Sequence, residues 1–399
     1  MRSPLGRFFR RWPRLGAADP SKRALRLVLV LALTGCAPGG FGQPPGGASP
    51  SGSLSAGGIA SPATAWPQAR ITTADLHLPG GMMFVEVEAA PGGALFGFTF
   101  KPMPPGSVEP VGEVALFKLA TDELLKVASI SSPDSLILSG DASERWLVWT
   151  EASPRPTLDG WALYAQDRRT GQTRTVARAA AIDGRPVPTP SIEPRVDGDV
   201  VVWSAGVARA AIGDHLDCFL APLSGGQPVQ TLATDCFHPV ISWPYVVYGQ
   251  HVGPIPGGYV ELTAMDLRTY AHHPVGAVRN TEYYALAGTT LIYTTSGNKT
   301  IHLIDILSQK DRLLMDVTDS TTGYLQFPAI NDRLAVWDDW AGVWAFDLKR
   351  KQLVRLRPAT GFTGVYLRGS TLVWADYTRP DSKDREFRVL RLLDTTQIR

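Results

Sequence analysis

Residues 335–349 read Ala335-Val336-Trp337-Asp338-Asp339-Trp340-Ala341-Gly342-Val343-Trp344-Ala345-Phe346-Asp347-Leu348-Lys349. An apolar burst closed by an aromatic is followed by a tight loop, an alternating strand and a polar turn opened by Asp. Both runs have the length and the β-branched and aromatic content of strands. The burst recurs at Leu95-Phe96-Gly97-Phe98, Leu147-Val148-Trp149, Val201-Val202-Trp203, Val246-Val247-Tyr248, Leu291-Ile292-Tyr293 and Leu372-Val373-Trp374. Its closing aromatics lie 51, 54, 45, 45, 44 and 37 residues apart. Several strands per unit at this period predict an all-β chain, a seven-bladed β-propeller.

The rest of each unit follows the same order. A first strand, often marked by proline as in Phe237-His238-Pro239 or Phe327-Pro328, precedes the burst. The third strand ends at Asp167, Asp266, Asp305 or Asp347, and a fourth closes the unit. Asp suits these positions because its carboxylate accepts bonds from the turn backbone. Seven units fall at about 82–130, 134–180, 188–233, 236–277, 281–317, 325–357 and 362–394. The irregular first unit leaves six or eight blades open. The last unit stops at its third strand, so Ile71–Leu78 is expected to supply the missing one and hide both open edges.

The apolar pair plus Trp or Tyr, leading into an Asp-Leu-x-Thr-like turn, resembles the TolB-like β-propellers over most of residues 82–394. The resemblance is to packing residues, so it carries over no functional ones. It implies an interaction role, since the periplasmic member of that family binds proteins. The separate N-terminal α/β domain of that member has no counterpart here.

The N-terminus gives an address. Residues 1–35 hold eight basic side chains and one acid, then an apolar run from Leu27 to Leu33, as in an export signal. Leu33-Thr34-Gly35-Cys36 resembles the lipoprotein signal, in which Cys36 becomes the acylated N-terminus. Residues 36–70, almost all Ala, Gly, Pro, Ser and Thr, are expected to form a flexible tether. Residues 71–399 form the propeller. The expected location is the cell envelope, on the extracytoplasmic side of a bacterial membrane, inner or outer. Without residues 1–35, the 39 bases and 37 acids become 31 and 36, a balance of −5. That gives no electrostatic reason to bind nucleic acid.

Few residues suggest chemistry. Trp149, Trp203, Trp337 and Trp374 repeat at one position and read as wedges between sheets, whereas Trp340 lies off the repeat and is a candidate for ligand contact. Cys218 and Cys236 form an even pair in an exported chain, which favours a disulfide. Free thiols, or a Cys₂His₂ zinc set with His215 and His238, are the other readings, although the spacing matches no standard zinc motif. His215, His238 and His251 are a second ligand-contact group if their loops meet on one face. Asp338 and Asp339 lack a calcium-loop pattern. No P-loop, G-x-S-x-G or H-E-x-x-H is present, so no catalytic residue, metal or cofactor is assigned.

The connections after second strands are long in several units, at 99–112, 150–160, 204–217, 249–258 and 375–386, and two carry proline-stiffened tips, Pro102–Gly106 and Pro254–Gly258. The sequence therefore favours a lipid-anchored scaffold that binds a protein or envelope partner through one loop-rich face. A carbohydrate or small-ligand binder and a metal-dependent lyase or hydrolase are the alternatives.

Overall fold

The computed structural model describes residues 59–398, apart from 79–81, 101–111, 133–134, 154–159, 180, 183–184, 187–192, 208–214, 253–258, 280, 282, 296, 319–323, 340–341, 359–363 and 378–387. Seven large antiparallel sheets follow one another along the chain, six of four strands and one of five, and a two-stranded ribbon, Ala181–Ile182 with Arg185–Pro186, lies between the second and third of them. The first strand of each sheet packs against the first strand of the next, and Val365–Arg368 of the last returns to Met82–Ala90 of the first. The sheets are therefore the blades of a closed seven-bladed propeller, with first strands lining the axis.

Ring closure uses the N-terminal strand. Ile71–Asp75 pairs antiparallel with Arg388–Asp394 as the outer strand of blade 7, with Ile71 opposite Leu393 and Asp75 opposite Val389. The expected closing segment Ile71–Leu78 is divided. After Asp75 the chain crosses to blade 1, where His77–Leu78 pairs with Met82–Met83 as its fifth strand. One short segment thus joins the first and last blades.

The repeated aromatics sit inside the blades, each opposite one residue of the third strand. Trp149 stacks on Tyr164 with centroids 5.6 Å apart, Trp203 on Phe219 at 5.7 Å, and Tyr293 on His302 at 5.1 Å. Trp337 stands opposite Trp344 in the same register. All these second-strand rings are buried. Offset stacks of this kind add to the area that the rings remove from water. Each blade's apolar face meets its neighbour's, so the core is a chain of clusters between blades. One joins Trp161 and Leu163 of blade 2 to Val201 and Trp203 of blade 3.

The Asp turns behave as the sequence predicts. Asp167 accepts from the Arg169 N–H at 2.9 Å, Asp266 from Arg268 at 2.9 Å, and Asp347 from Arg350 at 2.9 Å. Four residues after each Asp the chain turns through positive φ, at Gly171 (73°), Tyr270 (58°), Gln309 (57°) and Lys351 (55°). Glycine accepts this conformation without strain, and an L side chain loses about 1–2 kcal/mol there.

Residues 60–66 correct the expected extent of the tether. Ala60 bridges to Val354 in parallel, and a short helix, Pro62–Ala65, follows under a Ser61 cap. Trp66 is buried against blade 6, and its indole N–H donates to Asp347 at 3.3 Å. One indole and one edge pairing fix a stretch that composition alone marks as free. Cys36 lies outside the described residues.

Tyr270→Gly should raise the free energy of unfolding by about 1 kcal/mol, because it relieves the left-handed strain at that turn. Chemical denaturation of the two proteins side by side measures this, and a loss of stability would contradict the strain argument.

Candidate functional site

Blade topology divides the connections between two faces. First-to-second turns (91–93, 143–145, 198–199, 243–244, 288–289, 331–333 and 369–370) share one face with the third-to-fourth turns. The opposite face carries the second-to-third connections, among them 101–112, 154–159, 208–214, 253–258 and 378–387, together with the links between blades. The first face has short turns apart from 223–229 of blade 3, and the longer connections of the second face lie outside the described residues. Pro102–Gly106, Pro254–Gly258 and Trp340 of the looped face fall at or among positions outside the described residues.

Adjacent blades are stapled on the tight-turn face. Trp243 donates its backbone N–H to Asp197 at 2.7 Å, Gly288 to the Ser242 hydroxyl at 2.8 Å, and Gly93 to Thr371 at 3.0 Å. Arg145 spans blades 2 and 3, bonding Asp167 at 2.9 Å and Asp199 at 3.1 Å.

The axis itself is ionic. Arg368, at the end of the first strand of blade 7, reaches past blade 1 to blade 2. Its guanidinium donates to the Ala142 carbonyl at 2.7 Å and to Asp141 at 2.8 Å, and it also bonds the Val196 carbonyl of blade 3. Asp141 accepts a further bond from the Val196 N–H at 2.8 Å. Nearer the looped end, Arg195 pairs with Glu88 of blade 1 at 2.9 Å. Burial pushes the Glu88 carboxyl above its ordinary value, with Asp141 adding to the rise and Arg195 and Arg368 opposing it. The inner strands of four consecutive blades, 7, 1, 2 and 3, are thus tied by two arginine–carboxylate pairs.

His238 and Glu193 form the next pair, with Nδ1 and Oε2 3.4 Å apart. A β-bulge sets up this contact. Pairing runs from Phe237 opposite Gly249 to Val240 opposite Val247, so His238 and Pro239 face Tyr248 alone. His238 takes φ 47°, and Pro239, having no N–H, loses no ladder bond at the bulge. Blade 6 repeats the device, with Phe327 at φ 51° before Pro328. The prolines that mark first strands in the sequence are bulge residues. Tyr284 of blade 5 secures the bulge of blade 4, donating to the Phe237 carbonyl at 3.1 Å and accepting from the Gly249 N–H at 3.0 Å.

Enclosure around the axis works against charge on both members of this pair. For His238 the hydrogen bond and charge of Glu193 outweigh it, and the imidazole lies above its ordinary value of 6.5 despite repulsion from Arg195. For Glu193 enclosure is outweighed by His238 and Arg195, and the carboxyl is held down to about 2. Glu88, Asp141 and Glu193 each have a base as partner. None of the three is arranged as an uncommitted acid or base for catalysis.

The other expected site residues have plainer surroundings. Cys218 and Cys236 are bonded to each other, their sulfurs 2.12 Å and Cα atoms 5.7 Å apart, which links the third strand of blade 3 to the start of blade 4. His251 stands in the second strand of blade 4 opposite Val260, and the His215 backbone pairs with Val207 in blade 3. Among the described residues no group of three His, Cys, Asp or Glu side chains is placed to hold a metal. Asp338 accepts from the Gly364 N–H of blade 7 at 3.0 Å, and Asp339 from Gly342 at 2.6 Å.

The ionic axis escaped the sequence reading. Glu88, Asp141, Arg195 and Arg368 lie far apart in the chain and form no motif. The available signal is charge within otherwise apolar first strands, which means little until the ring is assembled.

No protein-family model matches the chain, and neither does any curated protein. Solved structures do. Prolyl endopeptidase matches with a TM-score of 0.50 and 8% identity over 78% of this chain, which is 46% of that one. Oligogalacturonate lyase from Vibrio parahaemolyticus gives 0.49 and 9% over 82% of this chain and 97% of that one. The propeller domain of the Trilobed protease from Pyrococcus furiosus gives 0.48 and 10% over 81% and 93%. At these identities the similarity is one of fold, and a propeller fold hosts many unrelated activities. This chain spans less than half the length of the peptidase.

The His238–Glu193 pair predicts a pH profile. The raised imidazole contributes fully below 6.5 and is lost as pH rises through its folded value. The lowered carboxyl contributes fully above 4.5 and is lost as pH falls towards about 2. The stability difference between the wild type and His238→Gln should therefore be widest between pH 4.5 and 6.5 and narrow on both sides. Thermal melts across the range check this, and a gap independent of pH would contradict the pairing.

Proposed function

We propose that this chain is a lipid-anchored, extracytoplasmic propeller that binds a protein or cell-envelope partner through its looped face. The observation that carries the reading is the unequal division of chain between the faces. Tight turns joined by staples make one face a rigid base, and the second-to-third connections put longer, variable segments on the other. Rigid scaffolds present binding residues in this way. The axis supports the same reading, since its carboxylates are already paired with bases. The anchor rests on the residues ending at Cys36, and the bonded Cys218 and Cys236 suit an oxidising compartment.

Photo-crosslinking residues placed at Pro104, Ile255 and Ser382 of the looped face should each give a discrete adduct in intact cells. The same residue at Arg169 or Thr121 of the tight-turn face should not give that adduct. Equal labelling from both faces, or none from the looped one, would contradict the assignment. Cys36→Ser should move the protein from the membrane to the soluble fraction, and unchanged fractionation would remove the anchor.

A further inference from the structure

Most large apolar side chains exposed among the described residues lie on the tight-turn face, opposite the proposed binding loops. Trp243 opens the first-to-second turn of blade 4 and is 51% exposed. Tyr270 and Leu307 occupy the third-to-fourth turns of blades 4 and 5 and are 57% and 49% exposed. The three therefore share one sector of one face. Tyr270 stands at a left-handed position that is glycine in the matching turn of blade 2, at Gly171. Blades 5 and 6 place the polar side chains of Gln309 and Lys351 at the matching position, so an exposed aromatic there is particular to blade 4.

Past their opening aspartates, the third-to-fourth turns of this sector are basic. The turns Leu267-Arg268-Thr269-Tyr270, Ile306-Leu307-Ser308-Gln309-Lys310 and Leu348-Lys349-Arg350-Lys351 contain no acidic residue. Lys310, Lys349 and Lys351 are exposed. The Asp that opens each turn is engaged with the turn's own backbone. Carboxylates also stand on this face, since Asp197 accepts from the Trp243 N–H and Asp332 is exposed in the first-to-second turn of blade 6. Aromatic and aliphatic tips with exposed lysines beside them suit the boundary between headgroups and acyl chains.

The N-terminal chain leaves from the same face. Ala60 runs parallel to the fourth strand of blade 6 beside Leu353, next to the turn at 348–351. Residues 66–70 then continue along this rim to blade 7, where the Arg70 N–H donates to Gln397 at 2.9 Å. Everything before Ile59 therefore starts from the rim beside the apolar sector. At roughly 3.3–3.6 Å per residue, the connection between Cys36 and Ile59 reaches tens of ångströms, enough to permit either face to meet a membrane. The side chains decide between the faces.

We infer that the tight-turn face, through Trp243, Tyr270 and Leu307 and their lysine neighbours, rests on an anionic phospholipid surface and turns the looped face away from it. This inference rests on the anchored reading above and adds the orientation. Trp243 and Leu307 dip into the headgroup boundary, and the lysines add an attraction that salt weakens.

The test separates orientation from acylation. The chain from Cys36 onward, which retains every described residue, is coupled through the Cys36 thiol to maleimide phospholipids. The vesicles contain phosphatidylcholine and phosphatidylglycerol in equal parts, with brominated acyl chains. Bromine-dependent quenching of tryptophan is expected, and it should fall at least about twofold in Trp243→Phe, because this indole sits at the interface. Leu307→Asp should lower quenching with Trp243 in place, and high salt should lower it further. Absent quenching in the parent, or quenching that Trp243→Phe leaves unchanged, overturns the orientation. Mass spectrometry of the N-terminal peptide from cells tests acylation of Cys36 separately. An unmodified cysteine there would remove the anchor and leave the vesicle result standing.

Discussion

The antiparallel pairing of Ile71–Asp75 with Arg388–Asp394 is the constraint on which the molecule depends. A propeller without it would expose one sheet edge at blade 7 and leave the first and last blades joined by side-chain packing alone. Unpaired edges invite association with other chains, and closure removes that hazard. The pairing also joins the two ends of the body, because Leu76 and His77–Leu78 carry the strand directly into blade 1. Cooperativity around the ring passes through these few residues.

Closure fixes direction as well as stability. The outer strand of blade 7 must begin at the tight-turn end, so the preceding chain must approach along that rim. The buried Trp66 and the Ala60 bridge hold it against blade 6. The exit point of the N-terminus thus follows from strand polarity. On the opposite face the same polarity gathers the long connections. The different connections of the two faces are consequences of one topological choice.

The architecture was legible because its determinants are local and repeated. A reader of the chain meets the apolar-aromatic burst seven times and the turn aspartate four times, each aspartate accepting from the backbone two or three residues on. Even the boundaries agree closely, with the fifth unit expected at 281–317 and its strands running from Tyr284 to Asp316. The division of Ile71–Leu78 between two blades was not legible, since nothing in its composition marks the crossing at Leu76. The docking of residues 60–66 was hidden for a similar reason, as one Trp among small residues carries the contact. Arg368, Asp141 and Arg195 are joined only when blades that are distant in sequence meet at the axis. Long-range charge pairing has no periodic signature.

The central claim is that the N-terminal strand closes the ring against the last blade in the stated register. Thr73 and Arg391 are directly opposite in that register, and the Arg391 guanidinium donates to the Thr73 hydroxyl at 2.7 Å. The most direct measurement is oxidation of the double variant Thr73→Cys, Arg391→Cys, followed by peptide mapping under non-reducing conditions. The account predicts a single new crosslink between positions 73 and 391 in a protein that melts at a higher temperature than its reduced form. A folded variant in which these positions stay unlinked, or link to other cysteines, would contradict it.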